Sequence, residues 1–207
     1  LAVATSLDRY HRGETVPLYI CENGFIAINP PLTMSRLGSL STRTAHPEYL
    51  GRLQQIFDAA SINVQIRNPY ALMTKGEMLA ACRNQELLKE HAVASTSCGR
   101  FQRFGYKHCG RCVPCQVRRA SFKRWAAIGD DTRYVYDNLS QDDLQHGKFE
   151  DVRSVGMALA NVAQEGFEHW LGHCLFSPFI QDRAGYNAML ARGLNELGHL
   201  HRAYQIT

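Results

Sequence analysis

Three cysteines stand at two successive C-x-x-C spacings in Cys109-Gly-Arg-Cys112-Val-Pro-Cys115. Two residues between ligands let a tight turn aim both sulfurs at one ion, and tetrahedral zinc takes four such ligands. Cys98, eleven residues upstream of Cys109, is the natural fourth. His108 competes for that place, but it directly adjoins Cys109, which makes joint ligation awkward. Four thiolates leave no open coordination position, so the expected Zn2+ is structural rather than catalytic. The alternative is a redox pair or a set of unliganded thiols. Cys21, Cys82 and Cys174 have no such company and are expected to be buried apolar residues.

Positive charge accompanies the thiols. Between Glu90 and Asp130 there is no acidic residue, yet that stretch holds Arg100, Arg103, Lys107, Arg111, Arg118, Arg119, Lys123 and Arg124. A zinc tetrathiolate is a net anion, which nearby cations and backbone N–H groups offset. The surplus is expected to face an anionic partner such as phosphate, nucleotide or nucleic acid. A solvated basic face is the alternative. The stretch from Asp130 to Asp151 is acidic and is free either to stay loose or to dock on the basic face.

Lys75 is the next residue with chemical potential. Thr74 and Glu77 have capping-box spacing, which predicts a helix starting at Thr74 with Lys75 just inside it. A cation is disfavoured at that end of a helix unless an anion binds there. An exposed lysine that tolerates a small penalty is the other reading. Upstream, "SLSTRTAHP" offers Ser39, Ser41, Thr42, Arg43, Thr44 and His46 as hydrogen-bonding groups. It reads either as a substrate or phosphate loop or as an ordinary capped loop. His169 and His173 lie at i, i+4, but no H-E-x-x-H glutamate accompanies them, so a partly buried pair is expected rather than a metal site.

These groups need elements to position them. In "VPLYICENGFIAINPP" two apolar runs, Leu18 to Ile20 and Phe25 to Ile28, flank Glu22-Asn23-Gly24. That is a hairpin, or a loop leading into a buried strand. Pro47 suits a first helical position, and Tyr49, Leu50, Leu53, Ile56, Phe57 and Ala60 follow at helical spacing. Ile62, Val64 and Ile66 alternate as in a strand. The order strand, loop, helix, strand, helix favours an α/β layer with parallel pairing. A short helix is expected in "VRRASFKRWAAI", and further helices after Asp151, the last over Arg183 to Tyr204, weakened by Gly185, Gly193 and Gly198.

The gross numbers bound the class. A length of 207 residues with 45% hydrophobic content allows one large domain, or one domain with an appendage, and a net charge of +4 is mild. No window of apolar residues is long enough to span a membrane. The start, "LAVATSLDRYHRGE", lacks a signal-peptide pattern, and seven cysteines with four clustered suit a reducing compartment. A cytoplasmic protein is expected, without a membrane partner.

"NPYALMTKGEMLAAC", then "STSC", then "CGRCVPCQVRR" resemble, in that order, the C-terminal half of the QueC-like family, the 7-cyano-7-deazaguanine synthases. "ENGFIAINPPLTMSRLGSLSTRTAHPEYL" looks closer to a divergent branch, the QueC-like QatC proteins of the Qat anti-phage system. The resemblance covers about Glu22 to Trp125. It implies an adenine-nucleotide α-hydrolase-like α/β fold, with part of a parallel sheet over residues 1–97. A four-cysteine zinc-binding segment over 98–125 and a helical extension over 126–207 would follow. It implies an ATP- and Mg2+-dependent ligase or synthase that adenylates a carboxylate, deazaguanine-type or related, and passes it to ammonia or an amine. Lys75 and His46 would be catalytic. Ser41, Thr42, Arg43, Glu77 and Arg118 would bind substrate or nucleotide, and Cys98, Cys109, Cys112 and Cys115 the metal. Protein partners from a defence operon would be implied as well. The family's S-G-G-x-D-S phosphate loop has no counterpart here, and the chain starts at Leu1, so a fragment is expected, inactive alone.

Two other classes remain open on the residues. One is a zinc-stabilised nucleic-acid module using Phe101, Phe104 and Tyr106 for stacking. The other is a non-catalytic partner subunit shaped by the zinc knuckle, with the 126–207 extension making subunit contacts.

Overall fold

The order read from the sequence is realised around two short strands. The structure, a computed structural model, describes residues 3, 7, 13–33, 44–140, 144, 150–172 and 174–206. Strand β1 (Val16–Tyr19) pairs in parallel with β2 (Val64–Arg67), Val16 opposite Val64 and Tyr19 opposite Arg67. Parallel strands need a crossover; here it contains helices α1 (Gly24–Ile28) and α2 (Pro47–Ala59). Val16, Leu18, Val64 and Ile66 share one face and meet Leu53 and Phe57 of α2 in a small apolar cluster.

Both outer edges of this sheet are blunted. The N–H groups of Val16 and Ile20 donate toward β2, to Asn63 O and Arg67 O at 2.8 Å each. Pro17, with no hydrogen to give, therefore sits on the opposite edge. On the far edge of β2 the Gln54 side chain donates to Val64 O at 2.7 Å and accepts from Ile66 N–H at 2.8 Å. It takes the positions that a further strand would use.

Phe25 to Ile28 is neither a hairpin arm nor a strand but one turn of helix. Asn23 caps it by accepting from Ile26 N–H. Gly24 N–H donates to Tyr70 O and Met73 O, fastening the turn to the loop after β2. A Cβ on Gly24 would lie 1.9 Å from Ala71 O, so the approach requires glycine.

Helix α3 (Lys75–Ala80) starts with the expected capping box, and α4 (Gln85–His91) follows. Helix α5 (Val113–Trp125) begins straight after Cys112. Beyond it come α6 (Glu150–Glu165), α7 (Phe167–Leu171) and α8 (Arg183–Ala203). One apolar core joins Phe25, Val117, Val155, Met189 and Leu197, so residues from each of the three sequence segments share it. Gly193 contributes by absence: a Cβ there would meet the Phe25 ring at 2.1 Å. Among the described residues no helix is long and apolar enough to cross a membrane. The lone cysteines depart from expectation. Cys21 is exposed, and Cys82 and Cys174 are only half-buried, because each lies in a connecting segment, Cys174 at the margin of the main core.

Candidate metal centre and the lysine beside it

Cys98, Cys109, Cys112 and Cys115 are all buried, with every Sγ within 4.8 Å of the others. The Cys109–Cys115 and Cys112–Cys98 sulfur separations are both 3.9 Å. A zinc tetrathiolate with bonds of about 2.3 Å has tetrahedron edges of about 3.8 Å. The spacing thus fits one metal ion. Backbone N–H groups also aim at the sulfurs, those of Arg100 and Cys109 at Cys98 Sγ (3.4 and 3.3 Å) and that of Cys112 at Cys109 Sγ (3.3 Å). Such donors stabilise thiolates. Gly110 makes the turn with φ +86°, where a Cβ would stand 2.3 Å from Tyr136 O. Pro114 sits in the first turn of α5, which brings Cys115 round to the other three. Phe101, Phe104 and Tyr134 wall the cluster.

The charge balance points the same way. Hydrogen bonds from the Cys112 and Cys115 thiols hold Cys109 far below the usual thiol range. Its hydrogen bond to Cys109 and burial push Cys112 up to about 12, and Cys115 is raised by the same causes. Cys112 and Cys115 thus resist ionising beside Cys109 unless a cation is present. The four residues would hold a dication such as zinc, whose contribution would be to staple the 98–112 loop to the start of α5. His108, the competing ligand, points elsewhere: its Nε2 accepts from Ser97 N–H at 3.2 Å. Burial, then Arg118, lowers its pKa and keeps it neutral.

Lys75 lies beside this centre. Its Nζ donates to Ser97 Oγ at 3.0 Å, one residue before Cys98. Burial lowers the ammonium's pKa and Arg118 adds to this, while Glu22 and Cys115 act against it. Glu22 follows β1 and Lys75 follows β2, so both stand beyond the carboxyl ends of the parallel pair, where open α/β sheets bind ligands. No motif in the sequence singles out Glu22. Its signal is position alone, just past a strand and just before the Asn23 cap, from which it accepts two hydrogen bonds.

Arg118 is 1% exposed and wholly engaged. It donates to Thr132 Oγ1, to Ser95 O and Oγ, and to Ala92 O and Val93 O, at 2.9–3.0 Å. It thereby closes the carbonyl end of α4 and reaches Ser97 Oγ at 3.5 Å. Arg119 donates to Asp137 O, Tyr136 O and Tyr204 Oη and stacks 3.8 Å from the Tyr134 ring. Arg100 pairs with Asp151 at 3.2 Å, and Arg111 lies 4.0 Å over the Tyr136 ring. Half of the basic run is therefore spent inside the protein, on backbone oxygens, aromatic rings and the acidic stretch downstream. Arg103, Lys107, Lys123 and Arg124 remain exposed.

Glu77 closes the capping box, accepting from Thr74 N–H at 2.9 Å, and binds Arg192 with both oxygens. Burial opposes its ionisation, but Arg192 and the Thr74 N–H outweigh that and lower its pKa. His46 caps α2, its Nδ1 accepting from Glu48 N–H at 3.1 Å. Ser41, Thr42, Arg43 and His173 lie outside the described residues. The structure thus brings Lys75, Ser97, Arg118, His108 and the four cysteines together, while His46 serves a different helix.

A parallel strand pair, a buried tetrathiol cluster that could hold a metal and a half-buried lysine beside it make up an α/β protein with one candidate site. Residues 44–126 match the family model of QueC, described as queuosine biosynthesis protein QueC. The 7-cyano-7-deazaguanine synthase of Methanococcus maripaludis is 32% identical over 94 residues, 44% of this chain and 40% of that protein. The 7-cyano-7-deazaguanine synthase of Methanococcus aeolicus is 29% identical over 91 residues, 42% and 38% of the two chains. The chain spans about two fifths of the length of these curated relatives. No solved structure gives a match. The chain therefore carries a QueC-type segment, and the lysine and all four cysteines fall within it.

Proposed function

We propose that this chain forms part of a cytoplasmic QueC-like, ATP- and Mg2+-dependent synthase or ligase. The carboxylate of a deazaguanine-type or related acid attacks the α-phosphorus of ATP, giving an acyl-adenylate and releasing pyrophosphate. Ammonia or an amine then attacks the acyl carbon, loses a proton and expels AMP. The observation that carries this reading is the Lys75–Ser97 contact inside the QueC-matching segment. It holds an ammonium at the carboxyl end of the strand pair, braced by the tetrathiol loop. Negative charge grows on the α-phosphate and the leaving pyrophosphate, and a prepositioned cation stabilises that state more than the bound substrates.

In this reading Lys75 contacts the reacting phosphate. Arg118 holds Ser97 and the end of α4 in place, and Arg43, Ser41 and Thr42 are assigned to binding substrate or nucleotide. His46 orients substrate, and the zinc is structural. The Glu22–Leu50 stretch favours the QatC branch, and hence a role in anti-phage defence with partner proteins of that system. The exposed Arg103, Lys107, Lys123 and Arg124, with Tyr106 as the one exposed ring among Phe101, Phe104 and Tyr106, favour a nucleic-acid module less than the Lys75 site favours the enzyme.

Carboxylate-dependent exchange of labelled pyrophosphate into ATP by the full-length protein tests the proposal. Lys75→Ala should lower the exchange by about a hundredfold or more while metal content stays unchanged. Full exchange by the variant would remove Lys75 from the chemistry, and no exchange by the natural protein with any deazapurine acid would remove the reading.

A further inference from the structure

Helix α8, which lies outside the QueC-matching segment, grips the turn that presents Lys75. Thr74 Oγ1 donates to Glu196 Oε1 of α8 at 2.6 Å and accepts from Glu77 N–H at 3.1 Å. Glu196 Oε1 also lies against Gly76, 3.0 Å from where a Cβ there would stand, so one α8 side chain touches the residues on both sides of Lys75. One turn earlier on α8, Arg192 holds both oxygens of Glu77 and donates to Leu72 O at 3.0 Å. A Cβ on Gly76 would strike the Arg124 side chain at 2.7 Å and Glu196 Oε1 at 3.0 Å, so glycine lets α5 and α8 close on this turn together. Thr74 is 1% exposed in consequence.

We infer that Glu196 and Arg192 are positioning residues for Lys75, and that α8 completes the QueC-type site from outside the matched segment. Between them these two side chains hold the Leu72 carbonyl, the Thr74 hydroxyl and the Glu77 carboxylate. The Thr74 hydroxyl can serve Glu77 only in the orientation Glu196 dictates, because its single proton goes to the carboxylate. That orientation fixes the first turn of α3, and with it the direction in which Lys75 reaches Ser97. The inference rests on the proposed function only for its effect on turnover. The effect on Lys75 itself does not depend on it.

The test reads both. Lysine acylation by acetic anhydride, followed residue by residue by mass spectrometry in the metal-loaded full-length protein, should find Lys75 slow and the exposed Lys107 fast. Glu196→Ala should speed Lys75 labelling by about tenfold, as expected for a loosened local turn, with Lys107 unchanged. Glu196→Gln, which keeps an acceptor for Thr74, should label like the natural protein. Thr74→Val removes that bond together with the Thr74 cap on Glu77 N–H and should speed Lys75 labelling at least as much, so a natural rate there overturns the inference if the alanine variant does not fold. In pyrophosphate exchange, Glu196→Ala should lower kcat and leave the KM for ATP within about twofold. Lys75 labelling at the natural rate in a folded variant lacking the Thr74–Glu196 bond would overturn the inference. Loss of exchange activity in the natural protein would instead strike the proposed function and leave the labelling result standing.

Discussion

The Lys75 ammonium donates to the Ser97 hydroxyl at 3.0 Å, and the residue after Ser97 is the cluster ligand Cys98. The site lysine and the tetrathiol centre are therefore one structural unit. Cys98→Ser should release the loop that carries Ser97. Loss of about 3 kcal/mol or more of unfolding free energy in urea, together with loss of bound metal, is expected. Unchanged stability with full metal content would show that Cys98 is not a ligand.

Arg118→Met replaces a buried cation by an apolar chain of similar length. It takes the Arg118 donor from the Val93 and Ser95 carbonyls, and one of three donors from Ala92 O, which keeps the Ser95 N–H and hydroxyl. A buried cation's whole set of acceptors, most of them part-buried, loses it at once, so destabilisation of about 3 kcal/mol is expected by denaturant titration. A change under about 1 kcal/mol would mean that water replaces the guanidinium at little cost.

Gly110→Ala tests the turn between the first two cysteines of the C-x-x-C pair. The residue holds φ +86°, and a Cβ there meets Tyr136 O at 2.3 Å and the Arg119 guanidinium at 2.7 Å. Backbone strain and a clash against a main-chain oxygen add, so metal affinity should fall by about tenfold or more. Chelator competition reads that shift.

His201 gives the fold an acid sensitivity. Its Nε2–H donates to Gln116 Oε1 at 2.8 Å, because the Gln116 amide nitrogen is already directed at Arg111 O. Its Nδ1 is buried without a hydrogen-bond partner. Burial holds its pKa down at about 4. The unfolded chain takes up a proton near the ordinary histidine value of about 6.5, where the folded chain does not. Stability is therefore complete above about pH 6.5 and falls as the pH drops toward 4, by up to about 3 kcal/mol. His201→Gln keeps a donor for Gln116 and should flatten that slope in urea titrations between pH 7 and 5. An equal slope in both proteins would assign the acid sensitivity to other groups.

The parts of this fold legible in the sequence are those with local causes. Pro47 opens α2 and Thr74 and Glu77 form their capping box through contacts a few residues apart, and the cysteine cluster closes within one stretch from 98 to 115. Helix α1 is not legible because its anchors are the Tyr70 and Met73 carbonyls, more than forty residues away. The basic run misleads because its internal acceptors are backbone carbonyls, which have no signature in a sequence. The Thr74–Glu196 bond joins residues 122 positions apart, and nothing in either neighbourhood announces it. The charge of Glu22 is visible, but its significance depends on parallel strands whose carboxyl ends coincide.

The most direct test is metal stoichiometry with sulfur-ligand spectroscopy on the protein purified without chelator. Elemental analysis should find about one zinc per chain, and X-ray absorption should show a four-sulfur shell at about 2.3 Å. An absence of bound metal, or a shell of nitrogen and oxygen, would contradict the assignment of Cys98, Cys109, Cys112 and Cys115 as the centre that holds Ser97 against Lys75.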